Sequence, residues 1–425
     1  MQKLTQVFVI GGLIRFLIPS LVPSVTQVLG STVELSTPIN SYKSLQEAFY
    51  YLQQGIGLYD GGVNHHPPLL VIILSLFQTL PFKEIIFNLI YTLADLFIAW
   101  KLIQINRWYN FYSSKRYNLK NERFSDDIIA SFYLFNPLIV LTNLAHSTII
   151  FTWVFIIESI YQVIFTQNVP RSMISLGIAS YLSFNPIFLL PPIIAFAHTM
   201  TPTDIHKVYI QGFAIFFATI GLLIMSSYVC TSSWDFLDQC YLTIILLKKI
   251  TPNVGLWWYI FTEMFEFFTP FYLGLFNIYS FVYVLPITIR LFQFRSNKKL
   301  GDSFLAIILV YIWLSFTKSY PTIGDLGFGL SILPIFKITI FPYCKYNYII
   351  GLTLIISLLL FPIFYYCWIV LGNGNSNFFY SISLIWGVVH ILLLMDLLWG
   401  KLIYDYGLEN NIEEKNISKL NLAQI

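Results

Sequence analysis

Apolar runs close to the length of a bilayer crossing recur from one end of this chain to the other, and they leave little room for a soluble fold. A helix spanning hydrocarbon needs about 20 predominantly apolar residues. Such runs lie at 4–22, 85–105, 128–144, 148–165, 173–197 and 208–229, then at 256–275, 276–291, 304–316, 324–336, 348–371 and 378–398. Backbone polar groups find no water in a bilayer, so spans of this kind predict helices. Of 425 residues, 57% are hydrophobic and 11% charged, against about 25% charge in a soluble domain. The chain reads as an all-α polytopic membrane protein. Several runs are short or interrupted by proline, which sets the expectation at about ten to twelve transmembrane helices. Residues 1–400 then form one transmembrane domain, and 401–425 a short cytosolic tail.

Charge orients the spans. Segment 106–127 carries Arg107, Lys115, Arg116, Lys120 and Arg123, and segment 290–299 carries Arg290, Arg295, Lys298 and Lys299. The long loop 24–66 has only Lys43. The positive-inside rule places the first two in the cytosol and the loop on the far side, with an amphipathic interfacial piece at 45–54. Residues 69–80 are too few to cross, so they are expected as a tilted or re-entrant piece packed on protein. The first run lacks a small-residue cleavage site and reads as a retained anchor. Buried Arg15, Asp95, Glu158 and Asp396 are expected to pair with polar groups between helices, with snorkelling the alternative for Arg15.

The net charge of +3 is too small to argue for nucleic acid. No HExxH, CxxC, GxSxG or Walker loop occurs, so hydrolase, zinc and nucleotide readings lack a local motif, and no metal or cofactor is expected. His65-His66 reads as a loop element ahead of Pro67-Pro68. Cys230 and Cys240 fall in one far-side loop and are candidates for pairing, whereas Cys344 and Cys367 read as packing residues. Asn416-Ile417-Ser418 is a formal glycosylation acceptor, but a cytosolic tail never meets the enzyme.

One run stands out. Residues 250–268, ITPNVGLWWYIFTEMFEFF, hold two glutamates, two tryptophans, a tyrosine and four phenylalanines. A carboxylate at hydrocarbon depth costs roughly 2.5–3.5 kcal/mol, so Glu263 and Glu266 should face a polar cavity, a partner or the interface. Three apart, they share a helical face, with Trp257, Phe261 and Phe265 on another. Thr251-Pro252-Asn253 signals the helix start. An interfacial helix with an aromatic belt accounts for the same composition.

The first far-side loop, with Glu34, Tyr42, the 57–60 stretch GLYD and the His-His-Pro-Pro-Leu step at 65–69, resembles the opening of the GT-C superfamily of dolichol-phosphate-sugar glycosyltransferases. Those enzymes carry acids in this loop that bind metal or act as base; here only Glu34 and Asp60 are available, far apart. Such a scaffold without its acids still offers a cavity for a lipid-linked glycan. A resemblance covering nearly the whole chain lies in ELSTPINS at 34–41, FNPLIVLTNLAHS at 135–147, LKKITPNVGLWWYIFTEMFEFF at 247–268, SYPTIGDLGFGLSILP at 319–334 and GNSNFFYS at 374–381. Taken in order, these are similar to the motif series of PIG-U, the multi-span subunit of GPI transamidase.

That resemblance implies a GT-C-like bundle in the endoplasmic reticulum membrane, with a luminal loop carrying short interfacial helices. It implies a non-catalytic subunit that helps bind and position the GPI lipid for attachment to the C-terminus of precursor proteins. The bond chemistry would belong to a caspase-like protease subunit of the same complex. The alternative is a GT-C glycosyltransferase using dolichol-phosphate sugars; a transporter would instead predict an internal repeat, and none is visible. Asn373, Asn375 and Asn377, with Gly372 and Gly374, flank a predicted helix start at Phe378. Amides beside a helix N-terminus can donate to phosphate and sugar oxygens, while a cap plus a turn needs only one of the three. Tyr320-Pro321-Thr322 and Asp325 either line the mouth of a cavity or break a helix. The candidate lipid-binding set is Asn375, Asn377, Phe378, Glu263, Glu266, Trp258, Tyr259 and Asp325, with no residue assigned to catalysis.

Overall fold

The computed structural model describes residues 2–117, 123–202, 204–293, 300–410 and 412. Lys120, Arg295, Lys298, Lys299, the side chains of Lys115 and Arg116, the tail 413–425 and its Asn416 acceptor lie outside the described residues. Among the described residues every regular element is a helix. In chain order these are α1 (Gln2–Leu21), α2 (Ser24–Leu29), α3 (Tyr42–Gln54), α4 (Pro68–Gln78), α5 (Lys83–Tyr117), α6 (Asp126–Leu134), α7 (Pro137–Leu144), α8 (Ile149–Tyr161), α9 (Val169–Ser183) and α10 (Leu190–Met200). There follow α11 (Ile205–Thr231), the single turn α12 (Thr243–Ile245), α13 (Trp257–Glu263), α14 (Thr269–Val282), α15 (Val284–Arg290), α16 (Ser303–Thr317), α17 (Ile323–Ile332), α18 (Asn347–Tyr365) and α19 (Ser376–Glu409).

Among the described residues seven helical stretches are long and apolar enough to cross a bilayer, and an eighth crossing results if the bent pair α6 and α7 counts as one. This is fewer than the expected ten to twelve, and length is the reason: α4, α16 and α17 are apolar but run for only 11, 15 and 10 residues. All fifteen residues of α16 are buried, as is nearly all of α17, so their apolar sequence answers to protein neighbours rather than to lipid. Around this centre pack α7, α10, α15 and α19. On the outside, α11 and α18 leave half or more of their apolar residues exposed. The α6–α7 pair bends by 52° where Pro137 opens the second helix and the Asn136 side chain accepts from the Leu138 N–H. Close approach is built into α17: a Cβ at Gly324 would lie 2.2 Å from the Thr142 hydroxyl, and one at Gly327 would lie 2.6 Å from Leu138. Only glycine lets α7 and α17 meet there.

The buried charges pair as expected. Arg15 Nε lies 2.5 Å from Asp95 Oδ2, Asn143 donates to the same oxygen at 2.8 Å, and Tyr133 donates to Oδ1 at 2.8 Å. Glu158 meets Lys101 at 2.9 Å. Asp396 accepts the backbone N–H groups of Lys345 and Tyr346 at 2.8 and 3.0 Å. Satisfied in this way, charges are tolerable in an apolar interior.

Two ends can be told apart. At one, α5 finishes near Gln293 and Asp302, where Tyr109 donates to Asp302 and Gln293 to Tyr112, and the end of α19 closes over Gly301 through its N–H contact to Asp405. The described flanks of the two basic segments thus share an end. At the other, Asn88 in the second turn of α5 donates to Ser20 near the end of α1. Since α1 ends and α5 begins there, α4 must enter and return on one side; its 11 residues reach only about 16 Å. Also here, His65 and His66 point apart, to the carbonyls of Gln239 (2.7 Å) and Ser41 (2.9 Å), and burial lowers the pKa of both, His66 to about 4. They are loop fasteners. The candidate Cys230–Cys240 pair is not joined: Cys230 is exposed and free, while Cys240 is buried with its thiol on the His66 carbonyl.

Candidate functional site

The run at 250–268 folds differently from a single amphipathic helix. Asn253 spends its side chain on the Gly255 N–H and the Thr251 carbonyl, which makes a turn, and α13 begins only at Trp257. It ends at Glu263, because Met264 and Phe265 are extended before a 3-10 turn at Glu266–Phe268. Glu263 and Glu266 therefore do not share a helical face, and both are exposed. Trp257 and Phe261 do pack inward, against Phe276, whereas Phe265 lies beyond the helix and is 79% exposed.

Trp258 and Tyr259 carry α13 to the start of α19. Trp258 is buried, stacked on Trp368 at 5.8 Å and in contact with Phe379 at 5.9 Å; its indole N–H has no partner among the described residues. Tyr259 stacks on Tyr380 at 4.0 Å, and its hydroxyl donates to Asn377 Oδ1. Two segments more than a hundred residues apart thus form one aromatic and amide face, with Phe378 exposed at its edge.

The asparagine turn divides its labour. Asn375 is the N-cap of α19, accepting from the Asn377 N–H at 3.1 Å. The helix starts at Ser376 rather than Phe378, and Gly372 supplies a left-handed turn with φ of 65°. The cap uses one carbonyl. Among the described residues the amide Nδ2 groups of Asn375 and Asn377 have no partner, and both side chains face outward from exposed positions.

Asp325 lies apart from this face, buried at the start of α17. It pairs with Lys318 at 2.7 Å and accepts from both the N–H and the hydroxyl of Thr322 at 2.9 Å, which is a capping box. Its three partners account for it structurally. Glu34, one of the two acids of the first far-side loop, is buried with Oε1 unpartnered among the described residues, its carboxyl pushed above the ordinary range by burial. Its backbone carbonyl accepts the Ile323 N–H and ties the first loop to α17. Asp60 is exposed, and among the described residues no group of three His, Cys, Asp or Glu side chains is placed to hold a metal.

Comparison with known proteins agrees with the motif series. The profile of the family described as GPI transamidase subunit PIG-U matches residues 9–386. The GPI transamidase component GAB1 of Saccharomyces cerevisiae is 38% identical over 399 residues, covering 93% of this chain and 94% of its own. The GPI-anchor transamidase component PIGU of Homo sapiens is 27% identical over 413 residues, with 92% of each chain covered. The GAB1 homolog of Schizosaccharomyces pombe is 29% identical over 403 residues, again with 92% of each covered. A helical bundle whose distant motifs meet in one aromatic and amide face, matched along nearly its whole length, belongs to the PIG-U family of GPI transamidase subunits.

Proposed function

We propose that this subunit binds and positions the GPI lipid for attachment to the C-terminus of precursor proteins, and performs no bond chemistry itself. The observation that carries the reading is the Tyr259 to Asn377 hydrogen bond with its Tyr259–Tyr380 stack. It holds uncommitted amide donors beside a helix N-terminus and an apolar wall, which suits a lipid carrying both phosphate and sugar. Neutral donors serve better than lysines there, since an unpaired cation near hydrocarbon is costly when the lipid is absent. Glu263 and Glu266, at the exposed end of α13, give the face acceptors for a protonated amine. The bundle is GT-C-like in this reading, sits in the endoplasmic reticulum membrane with this end luminal, and works beside a caspase-like protease subunit.

The test replaces Asn377 by Leu and Tyr259 by Phe, separately and together, in the assembled complex. GPI lipid retained after purification is then quantified by mass spectrometry. Each single change is expected to lower it severalfold with the subunits still associated. Undiminished GPI in the double variant would remove this face from the site.

A further inference from the structure

A cavity of about 380 Å³ opens at the same end, framed by the α1–α2 corner, α3, the first turns of α5 and the turn after α7. It shares no residue with the aromatic and amide face. His146 lies in its wall, only 4% exposed, its ring stacked on Tyr91 at 4.6 Å and met edge-on by Tyr42 at 4.9 Å. Among the described residues neither ring nitrogen has a hydrogen-bond partner, and the Thr26 hydroxyl, 9% exposed and in the same wall, has none either. Buried polar atoms are nearly always bonded, so two orphans on one cavity point to a ligand that supplies the missing bonds.

The wall also states what kind of ligand fits. His146, Thr26, Tyr42 and Asn88 offer neutral imidazole, hydroxyl and amide groups, which between them donate and accept. Burial lowers the His146 pKa to about 4, so the ring stays neutral at neutral pH. Ligand hydroxyls, themselves donors and acceptors, are the natural complement. At the rim Lys43 and Glu84 oppose each other in charge, so a bare anion gains little. Beside the opening, Leu17, Leu21, Val22 and Val28 are exposed on α1 and α2, an apolar edge that acyl chains can cover.

We propose that this cavity is a second lipid site, which takes the polyhydroxyl headgroup of a membrane lipid between His146 and Thr26, with the acyl chains along the α1–α2 edge. The site is independent of the GPI face, and either can fail alone.

Phosphatidylinositol is the probe. The assembled complex is passed through nanodiscs of phosphatidylcholine with a minor share of phosphatidylinositol, and the retained lipids are counted by mass spectrometry. The wild type is expected to enrich phosphatidylinositol. Thr26→Val, which keeps the side-chain shape, and His146→Phe, which keeps the stack, should each cut that enrichment about five-fold, the effect of one neutral hydrogen bond. Phosphatidylcholine retention and subunit association should not change. Equal enrichment in wild type and Thr26→Val, or none in the wild type, would overturn the proposal. Displacement by millimolar free myo-inositol would overturn the lipid assignment in favour of a soluble polyol.

Discussion

Arg15 and Glu263 both belong to strongly apolar segments, yet they have opposite fates. Arg15 is fully buried between α1, α5 and α6, held by Asp95 and by the Gly11 and Leu134 carbonyls at 3.1 and 2.8 Å. Glu263 ends a short helix with its side chain exposed, and no salt bridge reaches it among the described residues. The interior spends its charges on internal partners, so they report on assembly of the bundle. At the far end, polar groups such as the Asn375 and Asn377 amides and the two glutamates remain unspent among the described residues. A charge in an apolar sequence is therefore ambiguous until its partners are known.

The largest expected effect tests the interior half of this contrast. Removing one member of a buried pair strands the other, at a cost of about 3–5 kcal/mol. Arg15→Leu or Asp95→Leu should therefore abolish most monodisperse protein in detergent, as read by fluorescence-detected size exclusion and thermal unfolding. The double variant should recover part of the loss, though Tyr133 and Asn143 still lose their acceptor. If it is no better than the singles, the two charges are not coupled and the contrast collapses.

How much of this was legible follows the same division. The pairing of Arg15, Asp95, Glu158 and Asp396 could be anticipated because an unpaired charge at such depth is too costly to persist. The identities of the partners could not, since Asp95 is 80 positions from Arg15 and sequence carries no distance. The expected span number exceeds the helices long enough to cross among the described residues, because short buried apolar helices such as α16 and lipid-facing ones such as α18 are composed alike. Residues 250–268 misled in another way. Helical spacing was present, but the turn made by Asn253 and the extended Met264–Phe265 step are local backbone choices that periodicity does not encode. His146 sits near the end of the motif at 135–147 with nothing in its spacing to mark it, because its unbonded nitrogens exist only in three dimensions.

Trp258 links the two regions and should show the next largest effect. Buried on one side against Trp368 and Phe379, it forms the floor under Tyr259 and Asn377. Trp258→Leu removes the ring stack and leaves a partial cavity, at about 2 kcal/mol. Stability and GPI retention should fall together, as measured by unfolding and lipid mass spectrometry on one preparation. A loss of stability with full GPI retention would show that the face does not depend on its floor.

A smaller step separates capping from binding at the asparagine turn. Asn375→Ala removes the cap of α19 and should cost about 1 kcal/mol, which Asp or Ser restores. Binding by the Nδ2 amide makes a different demand, since neither Asp nor Ser supplies that donor. Asn375→Asp should thus keep the wild-type unfolding temperature while lowering GPI retention. Recovery of both by Asp would confine Asn375 to the cap.

The smallest effect on stability is the most informative about the face. Phe261 is buried against Trp257 and Phe276, so Phe261→Leu costs packing, about 1 kcal/mol. Glu263 is exposed, and Glu263→Leu should move stability by less than about 0.5 kcal/mol. On anchoring the order should reverse, because Glu263 offers an acceptor to something outside the chain and Phe261 offers nothing beyond its contacts within it. The two variants are compared in cells lacking the endogenous subunit, reading surface GPI-anchored reporter against the amount of assembled complex. Less reporter per complex for Glu263→Leu than for Phe261→Leu marks a working surface. If reporter follows complex abundance in both, α13 is an interfacial aromatic helix whose glutamates are merely solvated, and the exposed half of the comparison loses its functional content.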